Sequence, residues 1–422
     1  MKRENENISV ITLVMEAIPI GIVSGTAIVL YRKMLAYIDI IRTLTFSDID
    51  ITKAILILIS AAAIGLLISL IIKVLPESGG SGVPLVLAEA NDKADMSPWK
   101  VIVGKFLGGG LSNLSGLSLG LEGPSIQIGA VMGKAVGFLS PNGMNKRWRL
   151  TAGAAAGMSA AFGAPITGVI FALEEMHGYF SPVLIVPCMI SASIADIISK
   201  LIFGLEPVFT FKLIDRLPFN QYIWVICFAA FIGLIGVIFN HLSIIMMDLF
   251  DKLKIPSFIK PIVACIIAVI SGFYFYQLLG GGHHLLSHLP YENLSVLTII
   301  VLLVGKIILT TIASASGAHG GIFIPILCIG GLGGALFANV LISFGLIDPN
   351  LLINFIFLGM VGIIAGVIRS PLLAIVMVTE ITSSFTYVLA FTIVSVVSYV
   401  AAELTSCKPL YVALMERSGL SH

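Results

Sequence analysis

The feature that most constrains this chain is a succession of apolar stretches, each long enough to cross a lipid bilayer. One crossing takes roughly 17–25 residues, and about a dozen such stretches recur along the chain. Only 11% of the 422 residues are charged, against about 25% in soluble domains. We therefore predict an all-α polytopic membrane protein, whose clearest crossings lie near 9–30, 54–75, 151–173, 221–247, 257–279, 295–313, 351–379 and 384–402.

Charge and cysteine usage exclude several function classes. The net charge is +1, and no Lys/Arg-rich segment suits nucleic acid as a partner. The five cysteines show no C-x-x-C spacing and are interpreted as small buried hydrophobic residues. Neither H-E-x-x-H nor a P-loop occurs, so no metal, cofactor or enzyme activity is predicted.

Two short patterns are interpreted as structural. Residues 116–120 match G-x-S-x-G, but the nucleophile elbow needs a strand–turn–helix context and triad partners, which are missing here. The segment GGGHHLLSHL (280–289) holds three histidines without a matching acidic motif, and we predict a polar loop.

Glycine and proline interrupt many apolar stretches, and the chain repeats itself weakly. Residues 153–175 resemble 359–381, and at one constant offset Pro165 pairs with Pro371 and Glu174 with Glu380. Broken helices are tolerated in a membrane only where protein or a water-filled cavity satisfies the backbone. We predict a single transmembrane domain over 1–422, built from two halves at about 1–210 and 211–422, with no soluble domain.

Three stretches share one design: GSGVP (80–84), GLEGP (120–124) and GIFIP (321–325). Glycine allows a turn and a close approach, proline suits the first helical turn, and an apolar run follows. Each stretch is therefore predicted to start a helix inside the protein. Helix N-termini present unpaired N–H groups and partial positive charge, so converging starts predict an anion site that releases its ligand. The alternative is that these glycines only pack helices closely.

Glu122 lies in the middle of the second of these stretches. A carboxylate at a helix start is itself an anion, so it can occupy the place of a free anion and leave it when protonated. Such a residue links anion occupancy to proton binding. A charged group inside a membrane costs about 2.5–3.5 kcal/mol on insertion scales, which argues against an idle role. The alternative is a fixed helix-capping carboxylate.

These motifs resemble the CLC family of chloride channels and chloride/proton antiporters. The segments occur in family order and cover most of the chain: GSGVP (80–84), GLEGPSIQIGA (120–130), AAAGMSAAFGAPITGVIFALEEM (154–176), GGIFIP (320–325), GVIRSPL (366–372) and KPLY (408–411). The resemblance implies two inverted halves of tilted, partly broken helices, and a homodimer with one anion pathway per subunit. It also implies a bacterial type in the inner membrane, without cytoplasmic regulatory domains.

The resemblance also implies an anion-binding set. Ser81 would contact a central chloride ion through its hydroxyl, and Tyr411 through its phenol. The remaining members would act through the backbone around the helix starts: Ile322, Phe323, Gly120 and Gly123. The structural alternatives are that Ser81 caps its helix and that Tyr411 anchors the chain at the membrane interface.

Two acids carry the implied proton coupling. Glu122 matches the gating glutamate, and Glu175 matches the proton-transfer glutamate of the antiporter branch. Glu174, beside it, is interpreted as a solvated or paired acid.

Two positions depart from the family pattern: Leu121 stands where arginine usually precedes the gating glutamate, and Leu87 where many members carry an acid. We predict a chloride/proton antiporter; the alternative is a passive CLC-type chloride channel or uncoupled anion transporter. The presence of both Ser81 and Tyr411 disfavours the fluoride-exporting branch.

Overall fold

The computed structural model of the chain describes residues 9–138, 143–210, 217–292 and 294–419. Within these ranges every regular element is helical, apart from one isolated β-bridge between Gly120 and Gly321. The α-helices of the first part are α1 (Val10–Thr45), α2 (Ile51–Val74), α3 (Val83–Ala90), α4 (Pro98–Leu114), α5 (Glu122–Val136), α6 (Lys146–Phe162), α7 (Pro165–Ile170) and α8 (Pro182–Phe203). Those of the second part are α9 (Tyr222–Lys252), α10 (Lys260–Tyr274), α11 (His283–His288), α12 (Val296–Ala315), α13 (Phe323–Ser343), α14 (Leu352–Val367), α15 (Pro371–Thr382), α16 (Val388–Glu403) and α17 (Leu410–Arg417).

Eight of the described helical segments are long and apolar enough to cross a membrane. They are α1, α2, α8, α12, α13, and the segments Phe219–Lys252, Pro349–Val367 and Phe385–Glu403, which contain α9, α14 and α16. Their outward faces are apolar, as at Ile51 (81% exposed) and Leu201 (79% exposed). Exposed apolar faces on crossing helices are the pattern that a lipid environment selects. The prediction of an all-α polytopic membrane protein is confirmed.

Two stretches that were expected to cross as single units are broken. The first, near 151–173, divides into α6 and α7 at Gly163; the second, near 351–379, divides into α14 and α15 at Arg369. Both residues adopt the left-handed conformation, with φ of 64° and 70°. A left-handed residue ends a helix, and a proline then begins the next one. The stretch near 257–279 also yields only α10, of 15 residues.

The order of elements repeats along the chain, so that α1–α8 correspond to α9–α16. Equivalent turns make equivalent hydrogen bonds between the two sets: the N–H of Gly80 donates to the carbonyl of Gly317, and the N–H of Gly280 donates to that of Gly116, both at 2.9 Å. The bridge between the equivalent Gly120 and Gly321 is antiparallel. In a protein with inverted halves, equivalent segments run in opposite directions where they meet, as these two do. The predicted boundary at 210 and 211 borders residues 211–216, which lie outside the described residues.

Glycine contacts let two helices in each half pack closely together: α5 with α6, and α13 with α14. A Cβ on Gly153 of α6 would collide with the carbonyl of Gly129 on α5, and one on Gly359 of α14 would collide with that of Gly330 on α13. Small residues let membrane helices approach closely. As a result α5 and α13 lie almost wholly buried, with their first residues at the centre of the protein.

Candidate functional site

The starts of α3, α5 and α13 converge, as the three glycine-flanked stretches predicted. The N–H of Gly120 donates to the carbonyl of Gly321 (2.7 Å), and the reverse bond measures 2.6 Å. A Cβ on Gly123 would lie 2.6 Å from the carbonyl oxygen of Ser81 and 3.0 Å from the Cα of Gly321. Only glycine therefore allows the three segments to meet. The point where they meet is surrounded by the first N–H groups of α5 and α13, which have no acceptor within their own helices.

Glu122 is the first residue of α5 and is fully buried. Its carboxylate lies against Gly120 and Gly321, where a Cβ on either glycine would collide with Oε2. The N–H groups of Leu121 and Ile324 lie nearby, yet neither oxygen has a hydrogen-bond partner of normal geometry. A fixed capping carboxylate accepts hydrogen bonds from the first helical turn. This carboxylate instead lies between the helix starts, near the N–H groups of Leu121, Glu122 and Ile324, without a hydrogen bond of normal geometry among the described residues.

Ser81 and Tyr411 lie on the elements next to these helix starts. The Ser81 hydroxyl accepts a hydrogen bond of 3.2 Å from the N–H of Val83, the first residue of α3, while Gly82 occupies the N-cap position itself. Tyr411, on α17, is 1% exposed and its hydroxyl has no partner among the described residues. Its ring centroid lies 6.1 Å from that of Phe323. Such burial excludes the alternative that Tyr411 anchors the chain at the membrane interface.

The phenol of Tyr411 is in electrostatic range of both acids of the predicted proton route, Glu175 and Glu122. Ile322 and Phe323 begin α13, and Ile322 precedes the first helical turn without a side-chain cap. The structure thus brings together all the residues predicted to bind the anion: Ser81, Tyr411, Ile322, Phe323, Gly120 and Gly123.

Glu175 lies in a π-helical turn, Phe171–His177, that continues α7. Such turns often mark functional sites. Here the turn directs two consecutive acids to different partners. The Oε2 atom of Glu175 accepts a 2.5 Å hydrogen bond from the hydroxyl of Ser370, the residue that precedes α15.

Glu174 turns to the N-terminus of α15, where its carboxylate accepts hydrogen bonds from the N–H groups of Leu372 (3.1 Å) and Leu373 (2.7 Å). Glu174 was predicted to be a solvated or paired acid, and its partners are these two backbone N–H groups. This acid is a helix cap, and the helix that it caps belongs to the other half.

A cavity of about 550 Å³ has Glu122 in its wall. Its wall includes α11, which occupies most of the segment interpreted as a polar loop, so that interpretation is wrong. Gly282 has a φ of 95° and starts α11 as Gly82, with a φ of 86°, starts α3. The missed signal is the match between GSGVP and GGGHH at equivalent positions of the two halves.

Sequence reasoning also missed polar residues near the helix starts. Tyr31 and His319 line the cavity together with Glu122. Lys105 and Lys306 are fully buried at equivalent positions. The Nζ atom of Lys105 donates to the carbonyl of Gly80 (2.7 Å), and that of Lys306 to the carbonyl of Gly280 (2.5 Å). The motif V-G-K, which occurs twice inside apolar helices at 103–105 and 304–306, could have revealed both lysines.

The two departures from the family pattern both put an apolar side chain where the family usually has a charged one. Leu121 lines the cavity beside Glu122, and Leu87 is buried in the main hydrophobic core. No polar group therefore stands at either position to hold the carboxylate of Glu122.

Two known transporters are similar in sequence to this chain over most of its length. The H(+)/Cl(-) exchange transporter ClcA of Vibrio vulnificus is 33% identical over 374 residues, which cover 86% of this chain and 79% of that protein. The ClcA of Citrobacter koseri is 28% identical over 426 residues, which cover 97% and 89%.

Solved structures show the same fold. A slow cyanobacterial Cl-/H+ antiporter superposes with a TM-score of 0.88 at 26% identity, covering 96% of this chain and 98% of that one. A CLC-type fluoride/proton antiporter gives a TM-score of 0.82 at 20% identity, covering 95% and 98%, which supports the fold alone. The family profile described as voltage gated chloride channel matches residues 64–403. The chain is a multi-pass integral membrane protein and belongs to the voltage-gated chloride channel (CLC) family.

Proposed function

We propose that this protein is an antiporter that exchanges chloride for protons, with Glu122 as its gate. One observation carries the proposal: the Glu122 carboxylate is fully buried where helix starts converge, yet neither of its oxygens has a hydrogen bond of normal geometry among the described residues. A buried anion without partners is costly, and protonation or displacement by another anion relieves that cost. Anion entry and proton uptake therefore act on one group, which is the requirement for coupling.

The anion would take the place of the carboxylate. The first N–H groups of α13, at Ile322 and Phe323, would donate to it, and so would the free hydroxyl of Tyr411 and the hydroxyl of Ser81. Gly120 and Gly123 would allow the close approach. Helix N-termini and neutral hydroxyls hold an anion loosely compared with a lysine or arginine contact, which favours release.

Glu175 would pass protons between Glu122 and the opposite face. It is in electrostatic range of Tyr411, and the Ser370 hydroxyl donates to one of its oxygens at 2.5 Å. A passive channel needs no second acid at this place. The ClcA proteins to which this chain is similar exchange protons and chloride, by their names, and this supports antiport over the channel alternative.

The decisive experiment uses purified protein in sealed liposomes with an outward chloride gradient, following external chloride and internal pH together. Uphill proton movement at a fixed ratio to chloride is expected. Chloride flux without protons would instead establish a channel or an uncoupled transporter. Leu121 and Leu87 would then be the first positions to test as the cause of the missing coupling. Fluoride in place of chloride tests selectivity, and slower fluoride exchange is expected.

We also propose that the protein works as a homodimer. The first residues of the broken helices α7 and α15 reach the surface, where Ile166 is 52% exposed and Leu372 is 45% exposed. The carboxylates of Glu174 and Glu380, which accept from these first turns, are only partly buried, and ionisable groups against lipid are costly, so this face needs a protein cover. A second copy of the chain would supply that cover and leave one anion pathway in each subunit.

The mass of the protein particle in lipid nanodiscs tests the dimer. Leu372→Arg should shift the population to monomers, whereas Leu67→Arg, at a similarly exposed position of α2, should not. A monomeric wild-type protein would contradict the proposal.

A further inference from the structure

Helix α11 carries three exposed histidines that the proposed function does not use. His283, His284 and His288 all line the cavity of about 550 Å³ described above. In α3, the equivalent helix of the other half, Pro84 and Ala88 stand at the positions of His284 and His288. Since the repeat does not require histidines here, the common fold does not explain them.

His284 and His288 lie one helical turn apart, on the same face of α11. Their ring centroids are 4.1 Å apart, and the ring planes are inclined to each other by only 21°. Two histidines one turn apart are the pair with which H-E-x-x-H helices bind a divalent metal ion. The sequence predicts a loop without a metal for this segment, whereas its helical form places the two rings together.

A backbone contact determines which nitrogen of His288 is free to bind a metal. The Nδ1 atom of His288 lies 2.9 Å from the carbonyl oxygen of His284. A carbonyl only accepts, so Nδ1 carries the proton and the lone pair of the neutral ring is on Nε2. Metal-binding histidines commonly make such a second contact, because it orients the ring and makes the other nitrogen a better ligand.

One ion can reach both rings after a change in side-chain rotation alone. Zinc binds histidine nitrogen at about 2.0–2.1 Å, so tetrahedral coordination places two such nitrogens about 3.3 Å apart. Rings whose centroids lie 4.1 Å apart are already near that spacing. Both residues are exposed, so their side chains can rotate without disturbing the packing of the protein.

One acid lies near enough to favour a cation at this pair. The Glu292 carboxylate is within electrostatic range of His284, and the Glu292 N–H donates to the carbonyl of His288 (3.2 Å). Among the described residues, no three His, Cys, Asp or Glu side chains are grouped to hold one metal ion. The pair would thus supply two ligands and water the others, so binding should be readily reversible.

The two arginines of the cavity are bonded away from this pair. Arg42 pairs with Asp39 at 2.8 Å. Arg32 donates to the carbonyl of Ala160 at 2.6 Å, and it lies within electrostatic range of His283. A fixed cation that faces His283 makes this residue a poor third ligand and a suitable control.

We propose that His284 and His288 form a site for a divalent transition-metal ion that prefers imidazole nitrogen, such as Zn²⁺ or Ni²⁺. The bound ion would add positive charge to the cavity that has Glu122 in its wall. An anion held beside this charge would leave more slowly, and conduction requires ready release. Metal binding should therefore slow chloride exchange. This slowing rests on the proposed function, whereas the binding itself does not.

Titration calorimetry of tag-free protein in nanodiscs tests the site without transport. Zinc sulfate should give a binding step that His284→Ala and His288→Ala each abolish. His283→Ala, at the exposed histidine beside the pair, should keep that step. Magnesium sulfate should give none, because Mg²⁺ prefers oxygen ligands. The site would be overturned if wild-type protein bound no zinc, if binding survived both pair substitutions, or if His283→Ala abolished it too.

Chloride flux from proteoliposomes tests the effect of the bound ion. Zinc sulfate on both sides should slow the wild-type flux severalfold, and EDTA should restore it. Flux through His288→Ala should not respond to zinc, whereas flux through His283→Ala should be slowed like that of wild type. Unchanged wild-type flux at a zinc concentration that saturates the calorimetric step would overturn the inhibitory role.

Failure of the metal site and failure of the proposed antiport are distinguishable. Neither measurement follows protons, so a protein that moved chloride without protons would refute antiport and still bind zinc at the pair. Conversely, coupled exchange by a protein that binds no zinc would refute the metal site alone.

Discussion

Glu174 and Glu380 cap helices in each other's half of the protein. Glu174 accepts hydrogen bonds from the first N–H groups of α15, and Glu380, on α15, accepts them from Ile166 (3.0 Å) and Thr167 (2.6 Å) at the start of α7. The broken helices are therefore tied together by two equivalent carboxylates. Each places negative charge at a helix N-terminus, where it is stabilising.

Replacing either carboxylate should destabilise the junction between the halves. Glu174→Gln and Glu380→Gln each remove a charge from a helix start, and a lost cap costs about 0.5–2 kcal/mol. Glu380 also accepts from the Thr167 hydroxyl (2.6 Å), so its loss should cost at least as much. Thermal unfolding in detergent measures both, and Glu206→Gln, at an exposed position, is the control. Unchanged midpoints in both variants would show that these caps do not contribute to stability.

Glu122→Gln should abolish proton coupling and leave chloride flux. The amide cannot titrate and imitates a permanently protonated side chain, so anion entry no longer depends on protons. The liposome assay should show chloride leaving without uphill proton movement. Proton pumping by this variant against a chloride gradient would disprove the role of Glu122.

Glu175→Gln should stop proton movement with less effect on the anion site, because the Glu175 carboxylate is bonded to Ser370, before α15, and not to the helix starts that form the anion site. Ser370→Ala removes only the hydroxyl that donates to Glu175. It should slow proton movement by a smaller factor, in proportion to a lost bond of about 1.5–3 kcal/mol to a charged group. Measured chloride binding should stay near wild type in both variants. Intact coupling in Glu175→Gln would remove Glu175 from the proton route.

The two buried lysines should matter to stability in different degrees. Lys306→Met removes the donor to the carbonyls of Gly280 and Leu278, and a buried carbonyl left without its partner costs about 1–3 kcal/mol. Lys105→Met should cost less, because the carbonyl of Gly80 still accepts from the N–H of Gly320. Thermal unfolding of the two variants side by side measures the difference. The opposite order would mean that the charge of Lys105, not its hydrogen bond, stabilises the turn.

Much of the fold could be predicted from the sequence because its signals are local. Glycine before an apolar run and proline within the first turn located the starts of α3, α5 and α13. The offset between Pro165 and Pro371 identified equivalent broken helices. The starting point of α11 was missed, because its histidines concealed the glycine pattern.

The site was harder to predict than the fold because several of its partners lie far apart in the chain. Nothing near Glu174 in the sequence indicates that it caps α15, and nothing near Ser370 indicates that its hydroxyl reaches Glu175. His319 gave no motif at all. Its neighbours Ser78 and Gly108 approach it only in the folded protein.

The two halves share one of these acids but not the others. Glu174 has Glu380 as its equivalent, whereas the residues equivalent to Glu122 and Glu175 are Phe323 and Ile381. If every acid had a counterpart, the two faces of the membrane would present the same groups to an approaching ion. Because Glu122 and Glu175 have no acidic counterpart, the two membrane faces present different groups to the ion. These two side chains can thus contribute a polarity of transport that the repeated helices alone do not supply.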